Sequence, residues 1–453
     1  MRFIVDQLAK CKIVGILTES STSASASTPA TACLIRISKN FERFADDIIF
    51  DLGATLTKRL GQEYFLLKCQ NPQKMTDSDA ARYIRWNLEM NHAWPCRPEK
   101  MEDFLEKAAQ ALFQKFGGRN LQGVFIGILD PSSTHNPYKS LASNLRGRTL
   151  QLFTNELATF KDVEEQEPSA LSLFCLVGKE GLYCGVRSPL QANGFYPGGT
   201  KFISQKASHT ISRAGAKIAE ALHYLKLHQP LPAKGSHWLE LGASPGGMTS
   251  ELLERGYQVT AIDRAPLDER LKGRKGLSFK KADVARYNPV PKTQFDSLLC
   301  DMNGDVQVSL KEVVRLSESL IPGGLILFTL KTPGATSFKE CNSLYHEAMK
   351  SANAGGLEQI ACTHLTYNRH EFTLFLKKTT GEKIGRGTYI DEGFAPPDDP
   401  MFSEGWTVGS GRVFAKSTKS EPKSKPPVTS EVQERPFPAG PYLPDPASQR
   451  KTR

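Results

Sequence analysis

Between a predicted strand, His237–Leu241, and a predicted helix starting near Met248, this chain carries Gly242-Ala243-Ser244-Pro245-Gly246-Gly247, and Asp263 closes the next predicted strand, Gln258–Ile262. A strand running into glycines lets a ligand approach the backbone closely, and the helix that follows offers free N–H donors at its start. An acidic residue ending the neighbouring strand accepts hydrogen bonds from ribose hydroxyls. The spacing differs from the dinucleotide fingerprint GxGxxG: no glycine stands two after Gly242, and Pro245 occupies the turn where a pyrophosphate needs room and donors. The stretch therefore points to an adenosyl ligand without a pyrophosphate, and S-adenosylmethionine suits it better than NAD. The plainer alternative is a loop whose glycines only cap a turn. The placement of Asp263 argues against it.

With 453 residues the chain has room for two or three domains, and 39% hydrophobic residues suffice for ordinary globular cores. A net charge of +10 favours a polyanionic partner, since Lys and Arg surfaces release counterions on meeting phosphate. Nucleic acid is the natural candidate, although part of the charge lies in a polar tail. The nine cysteines form an odd set without a CxxC pair, which argues against a zinc site, and no metal is expected. It argues equally against a disulfide framework, so a reducing cytoplasm is expected. The apolar stretches are strand-length, none approaches a membrane span, and no membrane partner is expected. A Ser/Thr/Ala run from Ser20 to Thr31 has the composition of an organelle-targeting leader, but Asp6 and Glu19 weigh against that reading.

Along the chain, residues 1–30 read as an extension with a short strand, Lys12–Leu17, before the low-complexity run. A small α+β layer domain is expected over 31–130: a strand at Cys33–Ile37, an amphipathic helix at Phe41–Leu60, a strand at Tyr64–Cys69, helices near Asp79–Glu89 and Met101–Phe116, and a strand at Gly123–Leu129. A third unit, 131–190, holds Arg146-Gly147-Arg148 before a helix, then the strand pair Leu171–Leu176 and Gly181–Gly185. Basic residues beside short strands can track an RNA backbone, though a solvated charged face is the commoner explanation. Residues 191–211, rich in Gly, Pro, Gln and Lys, read as a linker. From 212 to 380 helices and strands alternate and close on a hairpin, the pattern of a doubly wound parallel sheet. An extension, 381–415, and a basic tail, 416–453, follow; the tail has almost no aliphatic residues and is expected to be disordered.

Charged residues fall where such a sheet puts its ligand side, at or just past strand carboxyl ends. Asp301 follows Phe295–Cys300, Lys331 follows Leu325–Leu330, and Asp283 lies after Leu277–Lys281. A lysine ending an apolar strand is costly to bury unless it pairs or works, which singles out Lys331. Glu371 leads into an apolar strand, and Lys217 sits on the helix Ser212–Leu225 that precedes the glycine-bearing strand. Any one of them reads as a surface charge; their joint placement is the stronger signal.

Ser212-Arg213-Ala214-Gly215-Ala216-Lys217, Leu239–Gly247, Cys300-Asp301-Met302, Phe328–Lys331 and Arg369–Leu374, taken in order and spacing, resemble the FtsJ-like ribose 2′-O-methyltransferases, and within them the branch acting on large-subunit ribosomal RNA. The resemblance covers Ser212–Lys378. It extends more weakly upstream, through Leu145–Leu150 and Gly181–Gly185, to that branch's ferredoxin-like and THUMP region. Two residues depart from the pattern: Ser244 stands where the branch often has Cys, and Ala214 where it often has a hydroxyl residue.

The resemblance implies a Rossmann-like methyltransferase domain behind an N-terminal ferredoxin-like/THUMP-like α+β region, with S-adenosylmethionine as cofactor and ribosomal RNA as partner in a monomeric protein. It implies a Lys217–Asp301–Lys331–Glu371 tetrad and methylation of a ribose, at a cytidine of large-subunit RNA. In-line methyl transfer needs the hydroxyl aligned and its proton removed. Lys331 is the expected base, its pKa lowered by burial and by the cation at Lys217, with Asp301 positioning it and Glu371 orienting Lys217 or the ribose. Around the cofactor, Ser244, Pro245, Gly246 and Gly247 are expected at the methionine part, Asp263 at the ribose and Asp283 at the adenine amine, with Gly242 and Asp301 also in the cofactor-binding set. A base amino-group methyltransferase is disfavoured because the strand ends in Asp301-Met302-Asn303-Gly304, and a cytosine-carbon enzyme because Cys300 reads as core. An inert RNA-binding or ribosome-assembly factor that keeps the fold is the alternative of a different class.

Overall fold

The computed structural model describes residues 30–98, 103–130, 137–153, 157, 163–204, 210–332 and 334–379. The expected strand at Lys12–Leu17, the extension at 381–415 and the tail at 416–453 lie outside them. All described residues belong to one compact unit.

Four strands open the chain: β1 (Thr31–Ile37), β2 (Ala54–Leu60), β3 (Tyr64–Cys69) and β4 (Ile84–Glu89), paired antiparallel in the order β2-β3-β1-β4. Helical segments join β1 to β2 and β3 to β4, which makes the βαββαβ arrangement called ferredoxin-like. Alternation along β1 explains its two buried faces. Cys33, Ile35 and Ile37 enter one core cluster, while Leu34 enters another.

Two segments differ from the helices expected of them. Instead of one helix over Phe41–Leu60 there is a 3-10 turn (Lys39–Phe44), a short helix (Ala45–Asp51) and β2, because Gly53 at φ +61° turns the chain. Instead of a helix over Asp79–Glu89 there is a 3-10 turn (Asp79–Tyr83) and then β4. The polar residues of β4, Arg85 and Asn87, are buried, so the segment has no solvent face to betray its period.

A second sheet follows, with β5 (His92–Trp94), β6 (Gly123–Ile128), β7 (Ser172–Gly178) and β8 (Gly181–Arg187) in the order β5-β8-β7-β6. The helix Phe104–Phe116 and β6 therefore go with this sheet rather than with the first. The expected strand pair forms β7 and β8, antiparallel, with Cys175 opposite Cys184. Trp86, Leu88, Phe125, Phe174, Leu176 and Tyr183 fill the space between the two sheets.

In the segment expected as a linker, 191–211, the described residues 191–200 are largely packed, whereas Phe202 is exposed. Ala192 and Phe195 are fully buried, and a Cβ on Gly199, at φ +77°, would lie 2.8 Å from the Arg85 carbonyl oxygen.

The third sheet has seven strands: β9 (His237–Leu241), β10 (Gln258–Asp263), β11 (Leu277–Lys281), β12 (Phe295–Cys300), β13 (Leu320–Lys331), β14 (Leu357–Thr363) and β15 (Glu371–Lys378). Their order is β11-β10-β9-β12-β13-β15-β14, and only β15 runs against its neighbours. Helices Ala214–Leu225 and Gly247–Glu254 cover one face; Val306–Ser317 and Phe338–Ala354 cover the other. Because β9 is followed outward by β10 and β11 and flanked on its other side by β12, the order reverses between β9 and β12. That switch point opens a crevice at the carboxyl ends of the strands.

The first and third sheets share a core. Phe41 stacks on Phe372 with ring centroids 5.0 Å apart, and Tyr83 meets Phe372 edge-on and Phe338 at a tilt. Among the described residues no helix is long and apolar enough to cross a membrane.

Candidate active site

The crevice holds a cavity of about 380 Å³ lined by residues from five strand ends and the helix Ala214–Leu225. Gly242 ends β9 at φ +77°, and a Cβ there would lie 2.9 Å from Met302 Cγ, so only glycine keeps this wall clear without strain. Gly247 serves packing as much as ligand access. A Cβ on it would collide with Ser212 Oγ, because the helices on this face cross closely at Gly247 and Gly215.

Asp263, at the end of β10, accepts the Ser244 N–H at 2.9 Å with Oδ2 and the Ala265 N–H at 2.8 Å with Oδ1. Each carboxylate oxygen keeps a second lone pair for a ligand hydroxyl. The Ser244 hydroxyl donates to the Pro266 carbonyl at 2.8 Å, so its side chain braces the loop that lines the cavity. Asp283 caps the turn Val284–Arg286 through the Ala285 N–H at 3.0 Å and lies 3.8 Å from Arg264. Gly242, Ser244, Pro245, Gly247, Asp263, Asp283, Asp301, Lys217 and Lys331 all line the cavity, as does Ala214; Gly246 and Glu371 stand behind its wall.

The four charged residues form one network. Asp301 lies just past β12, Lys331 ends β13 and Glu371 begins β15, which is antiparallel, so all three meet at one sheet edge; register pairs Lys331 with Glu371. Lys217, in the first turn of its helix, reaches Glu371 Oε1 at 2.6 Å and Asp301 Oδ2 at 3.2 Å. Lys331 Nζ contacts Asp301 Oδ1 at 3.2 Å, donates to Asn303 Oδ1 at 2.7 Å and to the Asp301 carbonyl at 3.3 Å. Burial opposes the Lys217 ammonium, but Asp301 and Glu371 outweigh it and hold its pKa above the ordinary lysine value. Lys217 is thus a fixed cation, and Asp301 is divided between two ammonium groups.

Of the cavity residues that escaped the sequence reading, Asn303 and Glu240 bear on the charged network. Asn303 had a signal, standing two past Asp301, but nothing in sequence tells a lysine's partner from a loop amide. Glu240, inside β9, is fully desolvated and accepts the Thr249 hydroxyl at 2.7 Å. Burial pushes its carboxyl from the ordinary 4.5 up to about 8. Conversely, Arg146 and Arg148 are engaged within their own layer: Arg148 pairs with Glu106 at 2.6 Å, and Arg146 donates to the Val124 carbonyl at 3.4 Å.

Residues 210–333 match the family model of FtsJ-like methyltransferases. The chain is related to that family. The FtsJ-related segment includes the glycine turn, Lys217, Asp301 and Lys331, and the seven-stranded order around it is a class I-like methyltransferase fold. A protein named ribosomal RNA large subunit methyltransferase M, from Shewanella loihica, is 29% identical over 221 residues, covering 47% of this chain and 59% of its own length. Its namesake from Halorhodospira halophila is 43% identical over 91 residues, covering 20% of this chain and 26% of its own. The chain thus spans less than two thirds of these relatives. Among solved structures, Aeropyrum pernix fibrillarin with natively bound S-adenosyl-L-methionine is 17% identical with a TM-score of 0.29, covering 47% of this chain and 85% of its own. That likeness is too slight to argue from.

The residues present fit S-adenosylmethionine as a methyl donor. Asp263 keeps lone pairs for ribose hydroxyls, Gly242 leaves the strand end open, and neither a phosphate-sized nest nor a cation at the turn is needed for a ligand that carries no phosphate.

Proposed function

We propose that this protein transfers a methyl group from S-adenosylmethionine to the 2′-hydroxyl of a ribose in RNA, and that the RNA is that of the large ribosomal subunit, at a cytidine. The observation that carries the reading is the Lys217–Asp301–Lys331 chain, closed by Glu371, at the edge of the cofactor cavity. The names borne by the relatives support the choice of ribosomal RNA, and the net charge of +10 suits a polyanionic substrate. Residues 31–190, with their ferredoxin-like and THUMP-like layers, are then the region that reads RNA shape, acting in the cytoplasm as part of a monomer.

When bound, the cofactor supplies an electrophilic methyl on its sulfonium. Asp263, Asp283 and the turn Gly242–Gly247 hold it in place. Lys217 keeps its proton between two carboxylates, which leaves Lys331 as the base once its own proton has passed to solvent. The Lys331 Nζ would accept the proton of the ribose hydroxyl as that oxygen takes the methyl and the methyl–sulfur bond breaks to leave a neutral thioether, and Asp301 with Asn303 would hold the resulting ammonium. Glu371 orients Lys217.

Lys331→Ala is expected to lower methyl transfer by about 10²- to 10⁴-fold, the usual worth of a general base, with RNA binding retained. The assay is incorporation of labelled methyl into ribosomal RNA beside a filter-binding measurement. A variant that methylates normally contradicts the mechanism.

A further inference from the structure

An ion pair outside the cavity ties the first sheet to the helix that carries Lys217. Arg85, on β4, points away from its own layer and places Nη2 2.9 Å from Glu220 Oε1. Both side chains are almost completely sealed, at 3% and 0% exposure. Arg85 also donates from Nη1 to the Asn193 carbonyl at 3.3 Å. A carboxylate with no access to water is tolerable only beside a cation, so Glu220 depends on a residue that the catalytic sheet does not supply.

Glu220 stands three residues after Lys217, on the same side of the helix Ala214–Leu225. Its second oxygen, Oε2, accepts the backbone N–H of Tyr367 at 3.2 Å. Tyr367 lies in the connection between β14 and β15 that delivers Glu371. The Glu371 carbonyl is held from the same side by His364 Nδ1 at 2.9 Å and by Asn368 Nδ2 at 3.3 Å. Burial depresses the His364 pKa to about 4, so its ring is neutral and the nitrogen facing that carbonyl carries the proton. One carboxylate therefore clamps together the two elements whose side chains, Lys217 and Glu371, meet at 2.6 Å.

We infer that Arg85 and Glu220 are positioning residues for the Lys217–Glu371 contact, so that the N-terminal βαββαβ unit completes the geometry of the charged network and is not only a recognition module. The inference rests on the methyl-transfer reading for its kinetic consequence, and on the packing alone for its effect on Lys217.

Two double variants of the full chain separate the clamp from mere stability. Removing both charges together avoids an unpaired buried ion, which alone would unfold many proteins. Arg85→Met/Glu220→Gln keeps a side-chain oxygen for the Tyr367 N–H, whereas Arg85→Met/Glu220→Leu does not. With melting temperature and circular dichroism matched, the Gln pair, which loses the Arg85 tie but keeps an oxygen for the Tyr367 N–H, is expected to lose a few-fold in kcat. The Leu pair is expected to lose about tenfold to a hundredfold in kcat, the range that a small misplacement near the chemistry produces, with KM for RNA little changed. Competitive acetylation by acetic anhydride, read at Lys217 by peptide mass spectrometry, is expected to speed up several-fold in the Leu pair and by a smaller factor in the Gln pair. Equal kcat and equal Lys217 labelling in the two pairs overturns the inference. If the wild-type protein transfers no methyl, the functional reading fails and the labelling alone decides the clamp. If a double variant does not fold, Arg85→Lys takes its place: faster Lys217 labelling supports the clamp, and unchanged labelling overturns it.

Discussion

Lys217 and Lys331 reach the same aspartate, yet their surroundings assign them different work. Lys217 lies between two carboxylates; Lys331 meets one carboxylate oxygen and two neutral oxygens. Asp301 and Lys331 were legible in the sequence because a charge at the end of an apolar strand stands out against its neighbours, whereas Lys217, on a helix, stood out only by its place before the glycine-bearing strand. Glu240 was not legible, since a carboxylate alternating with apolar residues in β9 looks like the polar side of an ordinary strand. Only the helix Gly247–Glu254 packed over it makes it a buried acid. Its carboxyl titrates near 8 when folded and near 4.5 when exposed, so between those values the folded chain binds one proton more than the unfolded one. The stabilisation is complete below about pH 4.5 and is lost as pH rises towards 8, at up to about 1.4 kcal/mol per pH unit. Glu240→Gln is expected to flatten this slope. Urea midpoints measured from pH 5 to pH 8 check it, and an unchanged slope contradicts the assignment.

At the scale of elements, the turn between β9 and its helix depends on backbone that a side chain cannot share. Gly242→Ala adds a Cβ 2.9 Å from Met302 Cγ at φ +77°, a strain of about 1–3 kcal/mol where a non-glycine residue is forced left-handed. Cofactor affinity measured by calorimetry is expected to drop by about tenfold; unaltered affinity would mean that the turn relaxes freely. The alternation from Ile211 onward revealed the doubly wound sheet because its strands are apolar and its helices amphipathic. The same reading failed at β4, where Arg85 and Asn87 look like a solvent face but are buried against Glu220 and Gln191. It failed again at β2, an edge strand whose exposed Thr-Lys-Arg run suits a helix as well as a sheet. Local pattern cannot report a partner that arrives from more than a hundred residues away.

Across the whole molecule, the first and third sheets share one apolar cluster that runs from Phe41 and Tyr83 to Phe338 and Phe372. Phe41→Ala is expected to cost about 3–5 kcal/mol and to lower a single unfolding transition. Differential scanning calorimetry that resolves a separate early transition for the N-terminal unit would show instead that the two sheets unfold independently. The same cluster brings the N-terminal βαββαβ unit and the charged network into one body. The most direct measurement is to incubate the purified protein with ribosomal RNA lacking its modifications and labelled S-adenosylmethionine, then digest to nucleosides and locate the label. The account predicts label on a ribose 2′-oxygen, and none with Lys331→Ala. Label on a base, or equal incorporation by the variant, would contradict it.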